Sequence, residues 1–282
     1  GKIITARDAY GNEMPYKYQS VIDAVDGYDL NTTINIKIQE ILEEQLEATY
    51  KESGAQAGVA GIVMNVKTGA VYAMATYPDF DLNDAWTLSA EYLAQMQASG
   101  LSEGDEGYSS LRASLLNQMW QNKALTFTYM PGSTFKIITS AAALDSGVTT
   151  PEDHFYCSAK VKVDGDTIRC WGNPHEAETM AQALQNSCNP VFVELALRMG
   201  SETFYEYLRT FGLGVKTNVD LQGEGSGILI PVRSVKNVDL ARIGFGQSVA
   251  VTPLQLIAAA IVLSALLSVV LFTVASRSQV WG

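Results

Sequence analysis

The spacing of apolar residues predicts several amphipathic helices. In TTINIKIQEILEEQLEATYKESG, Ile38, Leu42 and Leu46 recur four positions apart and share one helical face. Gly54 follows the last periodic residue, where a glycine commonly ends a helix. Further segments with helical spacing are GSTFKIITSAAALDSG, TMAQALQNS, NPVFVELALRMG and ETFYEYLRTFG.

Two other segments have the β-rich arms and central turn residues of hairpins. GVAGIVMNVKTGAVYAMATYP has its turn at Asn65 to Gly69, and FYCSAKVKVDGDTIRCW has a second turn of this kind. Helices mixed with antiparallel hairpins predict an α+β fold.

Residues 1–30 are turn-rich and irregular, so we expect a linker or the end of a preceding pedestal domain there. A single domain is expected over 31–257, followed by an atypical apolar tail over 258–282.

Composition and charge narrow the classes of function. The chain has 282 residues, of which 47% are hydrophobic, so it can bury a core and is not a disordered tail. The net charge is −11. An acidic surface repels phosphate backbones, and we expect no nucleic-acid partner. Residue 1 is Gly and not Met, so the chain is expected to be a fragment.

The cysteines do not have the spacing of zinc ligands. Cys157, Cys170 and Cys188 form no Cys-x-x-Cys pair, and we expect no metal site. Cys157 and Cys170 lie 13 residues apart around a turn. They form either a disulfide, if the domain is extracytoplasmic, or two buried thiols.

The Ser-x-x-Lys pair formed by Ser133 and Lys136 is the first candidate for chemistry. Two fixed positions match by chance about once in a chain of this length, and a helix cap beside a solvated lysine would look the same. The context favours catalysis, because Pro131 and Gly132 place a tight turn before the helix. Ser133 then lies at the helix N-terminus, and Lys136 lies one turn on, before apolar residues. Burial would lower the lysine pKa and let the amine accept the serine proton.

Ser187 and Asn189, in the sequence SCN before a proline, form the second candidate. Taken alone, this pattern is typical of a loop or a helix cap. Beside an activated serine, it would supply a hydroxyl for proton relay and an amide to hold a peptide. We expect Cys188 to be a small buried residue and not a nucleophile, and His175 to be structural.

Six ordered segments resemble the transpeptidase domain of class B penicillin-binding proteins, within the serine penicillin-recognising family. They span about residue 28 to about residue 257 and are DLNTTINIKIQ, NVKTGAVYAMATYPDFDLN, YMPGSTFK, NSCNP, GEGSGILIP and IGFGQSVAVTPLQL. The cysteine-flanked hairpin and CWGNPHEAETMAQALQNSCNP most resemble the sporulation-specific members.

The resemblance implies a β-lactamase/transpeptidase-like fold, in which an antiparallel sheet is flanked by helices. It implies that Ser133 is acylated by the D-Ala-D-Ala end of a peptidoglycan stem peptide and that Lys136 is its general base. Ser187 would pass the proton to the leaving D-alanine, and Asn189 would bind the substrate amide. β-Lactams would acylate Ser133 in place of the substrate.

The resemblance also implies where such a domain works. It would face the cell wall, on the extracytoplasmic side of the bacterial plasma membrane, through an anchor that is not in this chain. Peptidoglycan stem peptides and β-lactam antibiotics would be its small partners, and a glycosyltransferase a further one. No cofactor is implied.

The third motif of the family, Lys-Thr-Gly on an edge strand, has one match, Lys67 to Gly69. We expect this match to be only a hairpin turn, because it precedes the nucleophile while the family's copy follows Ser-x-Asn. After TPLQL the chain is apolar and uncharged to Ser276. We therefore expect a domain truncated before the third motif, with its C-terminal strands missing and its activity impaired. A membrane-spanning anchor and an unusual buried helix are the alternatives for this tail.

Other functions stay open at this point. A β-lactam sensor domain, which acylates and signals without turnover, shares Ser-x-x-Lys but is not expected to have the DLNTTINIKIQ or TPLQ segments. A non-catalytic truncated scaffold would form no penicillin adduct. Among enzymatic functions, D,D-carboxypeptidase and β-lactamase activity are the alternatives to transpeptidation. β-Lactamase activity is disfavoured because no deacylating glutamate motif is recognised.

Overall fold

The computed structural model describes residues 2–4, 20–55 and 57–263. The chain divides into two units, Gly1–Thr33 and Ile34–Gly282. In the first unit, strand β1 (Lys2–Ile4) pairs antiparallel with β2 (Ser20–Ile22). The linker or pedestal assigned to residues 1–30 stays a prediction.

The second unit alternates helices with short antiparallel hairpins, which confirms the α+β class. Its strands are β3 (Val59–Met64), β4 (Val71–Tyr77), β5 (His154–Cys157), β6 (Lys160–Val163), β7 (Asp166–Arg169) and β8 (Glu176–Thr179). Its helices are α1 (Ile36–Ser53), α2 (Ala90–Ala98), α3 (Tyr108–Trp120), α4 (Lys123–Thr126), α5 (Lys136–Asp145), α6 (Met180–Gln185), α7 (Asn189–Thr210) and α8 (Asn237–Ile243). Residues 253–263 are also helical.

The predicted opening helix and first hairpin are confirmed. Asn35 caps α1 by accepting hydrogen bonds from two backbone N–H groups, and Gly54 ends the helix in the left-handed region. β3 pairs antiparallel with β4, with Val59 opposite Tyr77. The Gln39 side chain of α1 bonds the backbone of Met74 in β4 through both its amide atoms, at 2.9 and 3.0 Å. These bonds fix α1 against the hairpin.

The second hairpin differs in one respect from the prediction. β6 pairs with β7 around the turn at Asp164 and Gly165, as the sequence predicts. β5 does not extend this hairpin but pairs with β8, with Cys157 opposite Glu176. Across the described residues the strands form four separate antiparallel pairs.

One large core lies under the candidate site. It joins α5, α7, α8 and the strands β5 to β7, and its largest fully buried side chains include Phe135, Phe192, Phe204 and Tyr205. α7 has a break at Gly200, where φ is 76°, so the two helices predicted there follow each other directly. A smaller cluster joins α2 to α3.

Residues 264–282, most of the predicted tail over 258–282, lie outside the described residues. The alternatives for this tail concern those residues and stay predictions. Within the part of the chain that the structure describes, no helix combines the length and apolarity that crossing a bilayer requires.

Candidate active site

The turn before α5 presents Ser133 to solvent. Gly132 has a φ of 58°, which a residue with a side chain adopts only at a cost, and a short 3₁₀ turn (Gly132–Phe135) leads into α5. Thr134 Oγ1 donates a hydrogen bond to the Pro131 carbonyl at 2.7 Å. Ser133 is exposed, whereas Phe135 beneath it is buried. The serine hydroxyl is thus accessible to solvent, and the turn that carries it is held by a buried side chain and a hydrogen bond.

A second glycine, Gly246, contacts the backbone of this turn. The Gly132 N–H donates to the carbonyl of Gly246 at 3.0 Å. A Cβ on Gly246 would lie 2.1 Å from the Gly132 oxygen, so no larger residue fits here without moving the backbone. No local pattern in the sequence indicates this role, since only the three-dimensional fold brings the segments containing Gly132 and Gly246 together.

Lys136 is buried, with 1% of its surface exposed. Its Nζ donates to Ser133 Oγ at 3.2 Å and to Ser187 Oγ at 2.9 Å. It also donates to the Ser187 carbonyl and to Asn189 Oδ1, both at 2.7 Å. The four predicted site residues therefore meet at one amine.

The loop between α6 and α7 supplies the other two side chains. Ser187 has a φ of 53°, a strained value for a residue other than glycine, and its Oγ lies 2.9 Å from Ser133 Oγ. Asn189 is the first residue of α7, and its Nδ2 donates to the Arg169 carbonyl in β7 at 3.0 Å. This bond turns the amide oxygen of Asn189 toward Lys136.

Burial lowers the pKa of Lys136 from its usual 10.5 to about 8, while the nearby Cys170 and Cys188 act in the opposite direction. A lysine with this pKa is in part a neutral amine near neutral pH, able to accept a proton. The arrangement is that of a serine nucleophile with an amine base and a second hydroxyl in contact with both.

The Lys67–Gly69 match to the third motif lies in the turn between β3 and β4. The Asn65 side chain accepts hydrogen bonds from the backbone N–H groups of Lys67 and Thr68, which is the local pattern of an Asx turn. All three residues are exposed. The structural interpretation of this segment is confirmed.

The cysteines and His175 lie close to the candidate active site. The ligand atoms of Cys157, Cys170, His175 and Cys188 all lie within 4.8 Å of one another. All three cysteines are free thiols, and Cys157 and Cys188 are buried. The spacing along the chain had given no sign of this cluster, because its members come from different elements.

Comparison with known families agrees with this geometry. The model of the family described as "Penicillin binding protein transpeptidase domain" matches residues 59–273. This range contains Ser133, Lys136, Ser187 and Asn189.

Individual relatives cover almost the whole chain. It is 39% identical over 264 residues to stage V sporulation protein D of Bacillus subtilis, a match that covers 92% of this chain and 36% of that protein. It is 27% identical over 256 residues to peptidoglycan D,D-transpeptidase FtsI of Escherichia coli K12, covering 91% of this chain and 38% of that protein. The chain thus spans little more than a third of the length of these curated relatives.

A solved structure shows the same fold. Penicillin-binding protein 3 of Mycobacterium tuberculosis, in complex with ampicillin, superposes with a TM-score of 0.63 at 26% identity. The superposition covers 79% of this chain and 44% of that one.

Proposed function

The chain belongs to the penicillin-binding protein transpeptidase family, and we propose that it forms the acyl-transferring part of a peptidoglycan D,D-transpeptidase. The observation that carries this proposal is the position of Lys136 Nζ. It is buried and within hydrogen-bond distance of both Ser133 Oγ and Ser187 Oγ. An amine placed in this way can activate one hydroxyl and exchange protons with the other.

In the first half-reaction Ser133 Oγ attacks the carbonyl carbon of the penultimate D-alanine of a stem peptide. Lys136 takes the hydroxyl proton, and the N–H of Ser133 at the helix N-terminus donates to the developing oxyanion. Ser187 passes a proton to the leaving nitrogen, so the peptide C–N bond breaks and free D-alanine departs. An acyl ester on Ser133 remains.

In the second half-reaction an amine from a neighbouring stem peptide attacks the acyl ester. The proton of that amine returns through Ser187 and Lys136 to Ser133 Oγ, an amide cross-link forms, and the serine is regenerated. Asn189 binds the substrate amide during both steps. A β-lactam ring would acylate Ser133 in the same way, and its product would lack a free leaving group.

The proposed substrate indicates where in the cell the domain works and which proteins it works with. Stem peptides are cross-linked in the cell wall, so we assign the domain to the extracytoplasmic face of the bacterial plasma membrane, as part of a longer, membrane-anchored protein. We propose a glycosyltransferase that supplies glycan strands as a further partner. The similarity to stage V sporulation protein D supports a role in sporulation.

Labelling with a fluorescent penicillin tests the nucleophile. We expect a covalent adduct that survives denaturation in the wild-type chain and is lost in Ser133→Ala. Ser146→Ala is the matched control, because Ser146 lies at the far end of α5 and its hydroxyl donates to the Ala143 carbonyl, away from the site. A stable adduct in Ser133→Ala would refute the assignment, and no adduct in folded wild type would identify a non-catalytic truncated scaffold.

A transfer assay separates a transpeptidase from a β-lactam sensor. A thioester analogue of the stem peptide is offered together with a D-amino acid as acceptor. We expect release of the thiol and formation of an acyl–D-amino acid product. A penicillin adduct without any acyl transfer would instead identify a sensor domain.

A further inference from the structure

We propose that Cys157, Cys170, His175 and Cys188 form a structural zinc site beside the active-site loop. The four ligand atoms, one from each side chain, lie within 4.8 Å of one another. Any two sulfur ligands of a tetrahedral zinc site lie about 3.8 Å apart, given Zn–S bonds of about 2.3 Å. A small contraction of side chains that already face one another therefore completes the site.

The chemistry of the donors favours zinc over other cations. Three thiolates and one imidazole are a common donor set of structural Zn²⁺ sites, whereas Mg²⁺ and Ca²⁺ prefer oxygen. Cys157 and Cys188 are buried and His175 is 16% exposed at its side chain, so a bound ion would be shielded from water. Binding would release the thiol protons to solvent, and four protein ligands would leave no open position for catalysis.

Glu178 gives an independent indication that a cation belongs here. Its carboxylate is buried, with 3% of the residue exposed, and Oε2 accepts a hydrogen bond from Asn186 at 3.0 Å. Oε1 has no hydrogen-bond partner among the described residues and lies 3.8 Å from His175 Nδ1. An isolated buried carboxylate oxygen is costly. With the ion on Nε2 of His175, the Nδ1–H can donate to this oxygen, and a carboxylate in that outer position is common in zinc sites.

The site would join the strand pair β5–β8 to the end of β7 and the start of α7. Cys157 ends β5, Cys170 follows β7, His175 precedes β8, and Cys188 caps α7. These strands are only four residues long and form separate pairs. Because two-stranded pairs are marginal on their own, a shared ion would be an effective cross-link.

Metal content and a cobalt spectrum test the site without any substrate, so the result does not depend on the proposed function. The chain is purified with a reducing agent, its zinc is measured by elemental analysis, and the chelated protein is titrated with Co²⁺. We expect one zinc per chain and thiolate-to-cobalt charge-transfer absorption. Chelation should lower the melting temperature by roughly 5 °C or more.

Cys157→Ser and His175→Ala should each weaken Co²⁺ binding, and the first should also reduce the charge-transfer absorption. Ser158→Ala is the matched control, because Ser158 is adjacent to Cys157 but exposed. Folded wild-type protein without zinc and without cobalt absorption would overturn the proposal. A Cys157–Cys170 disulfide in the isolated protein, with no bound metal, would overturn it as well.

Discussion

At the scale of single residues, Lys136 has an environment that makes its protonated form less favourable than it is in water. Its hydrogen-bond partners among the described residues are two hydroxyls, a carbonyl and a side-chain amide oxygen, none of which carries charge. The ring of Phe192 lies 5.5 Å from Nζ and closes the site from below. Neutral dipoles compensate the loss of water only in part, and the pKa falls as a result.

The rate of Ser133 acylation should therefore rise with pH. Lys136 acts as a base only when deprotonated, and its pKa is lowered to about 8. Below that pH the rate should fall about tenfold per unit, and above it the rate should level off. Stopped-flow measurement of penicillin acylation from pH 6 to 10 checks this. Lys136→Arg, which stays charged at every pH tested, should be inactive throughout. A flat profile in the wild-type chain would contradict the role of Lys136.

Ser187→Ala should slow acylation while leaving the fold intact. The substitution removes the hydroxyl that contacts Ser133 Oγ and Lys136 Nζ but keeps the carbonyl that also binds the amine. Loss of one proton-transfer group typically costs about 10²–10⁴ in rate. Ser226→Ala changes an exposed hydroxyl elsewhere and serves as the control. Equal acylation rates for the two variants would argue against a relay.

The sequence predicts some of these residue contacts better than others. Ser133 and Lys136 are one helical turn apart, so local geometry alone places them together. Ser187 is 51 residues from Lys136, and only the family resemblance suggested their contact. The contacts of Gly246, Glu178 and the three cysteines depend on how distant segments pack, which no local pattern records.

At the scale of elements, the position of the nucleophile depends on the close approach of two loops. Gly132 N donates to Gly246 O, and Thr139 Oγ1 of α5 donates to the Gly244 carbonyl at 2.8 Å. The first residues of α5 and the end of α8 are thus joined twice. A shift of this contact would move Ser133 relative to Ser187.

Gly246→Ala should reduce acylation much more than stability alone explains. Gly246 has a φ of 80°, and its Cβ would lie 2.1 Å from the Gly132 oxygen. Gly147→Ala is the matched control, since Gly147 has a φ of 72° but nothing within 4 Å of its Cβ. Both variants should lose about 1–2 kcal/mol of unfolding free energy from backbone strain, and Gly246→Ala should lose more because its Cβ overlaps the Gly132 backbone. Only Gly246→Ala should also label slowly with penicillin, and similar labelling of both would refute the argument.

Long helices and tight hairpins were predictable, whereas pairing between distant strands was not. α1 has clear periodicity, an Asn cap and a terminal glycine, and β6–β7 has a two-residue turn at Asp164 and Gly165. β5 and β8 are four residues each and separated along the chain by the whole of that hairpin. Their pairing depends on the burial of Phe155 in the core that α6 and α7 share, which is a tertiary effect.

At the scale of the whole second unit, the active-site loop and the cysteine cluster share one core. Cys157 and Cys188 belong to the same set of buried residues as Phe135 of the nucleophile turn and Phe192 of α7. Cys188 stands between Ser187 and Asn189, and Cys170 directly follows Arg169, whose carbonyl holds the Asn189 amide. An ion bound to Cys170 and Cys188 would therefore fix both ends of the Asn189 contact.

Removal of the metal should slow penicillin acylation of Ser133, a prediction that rests on both proposals. Without the ion, the loop that holds Ser187 and Asn189 can move relative to β7, and a displacement of about 1 Å can cost about 10²-fold in rate. The rate is compared for zinc-loaded and chelated protein well below the melting temperature of the chelated form, and zinc is then added back. His175→Ala, which keeps all three thiols, should behave like the chelated protein and recover only at higher zinc concentration. Equal rates with and without zinc would show that the ion stabilises the fold but does not position the active-site loop.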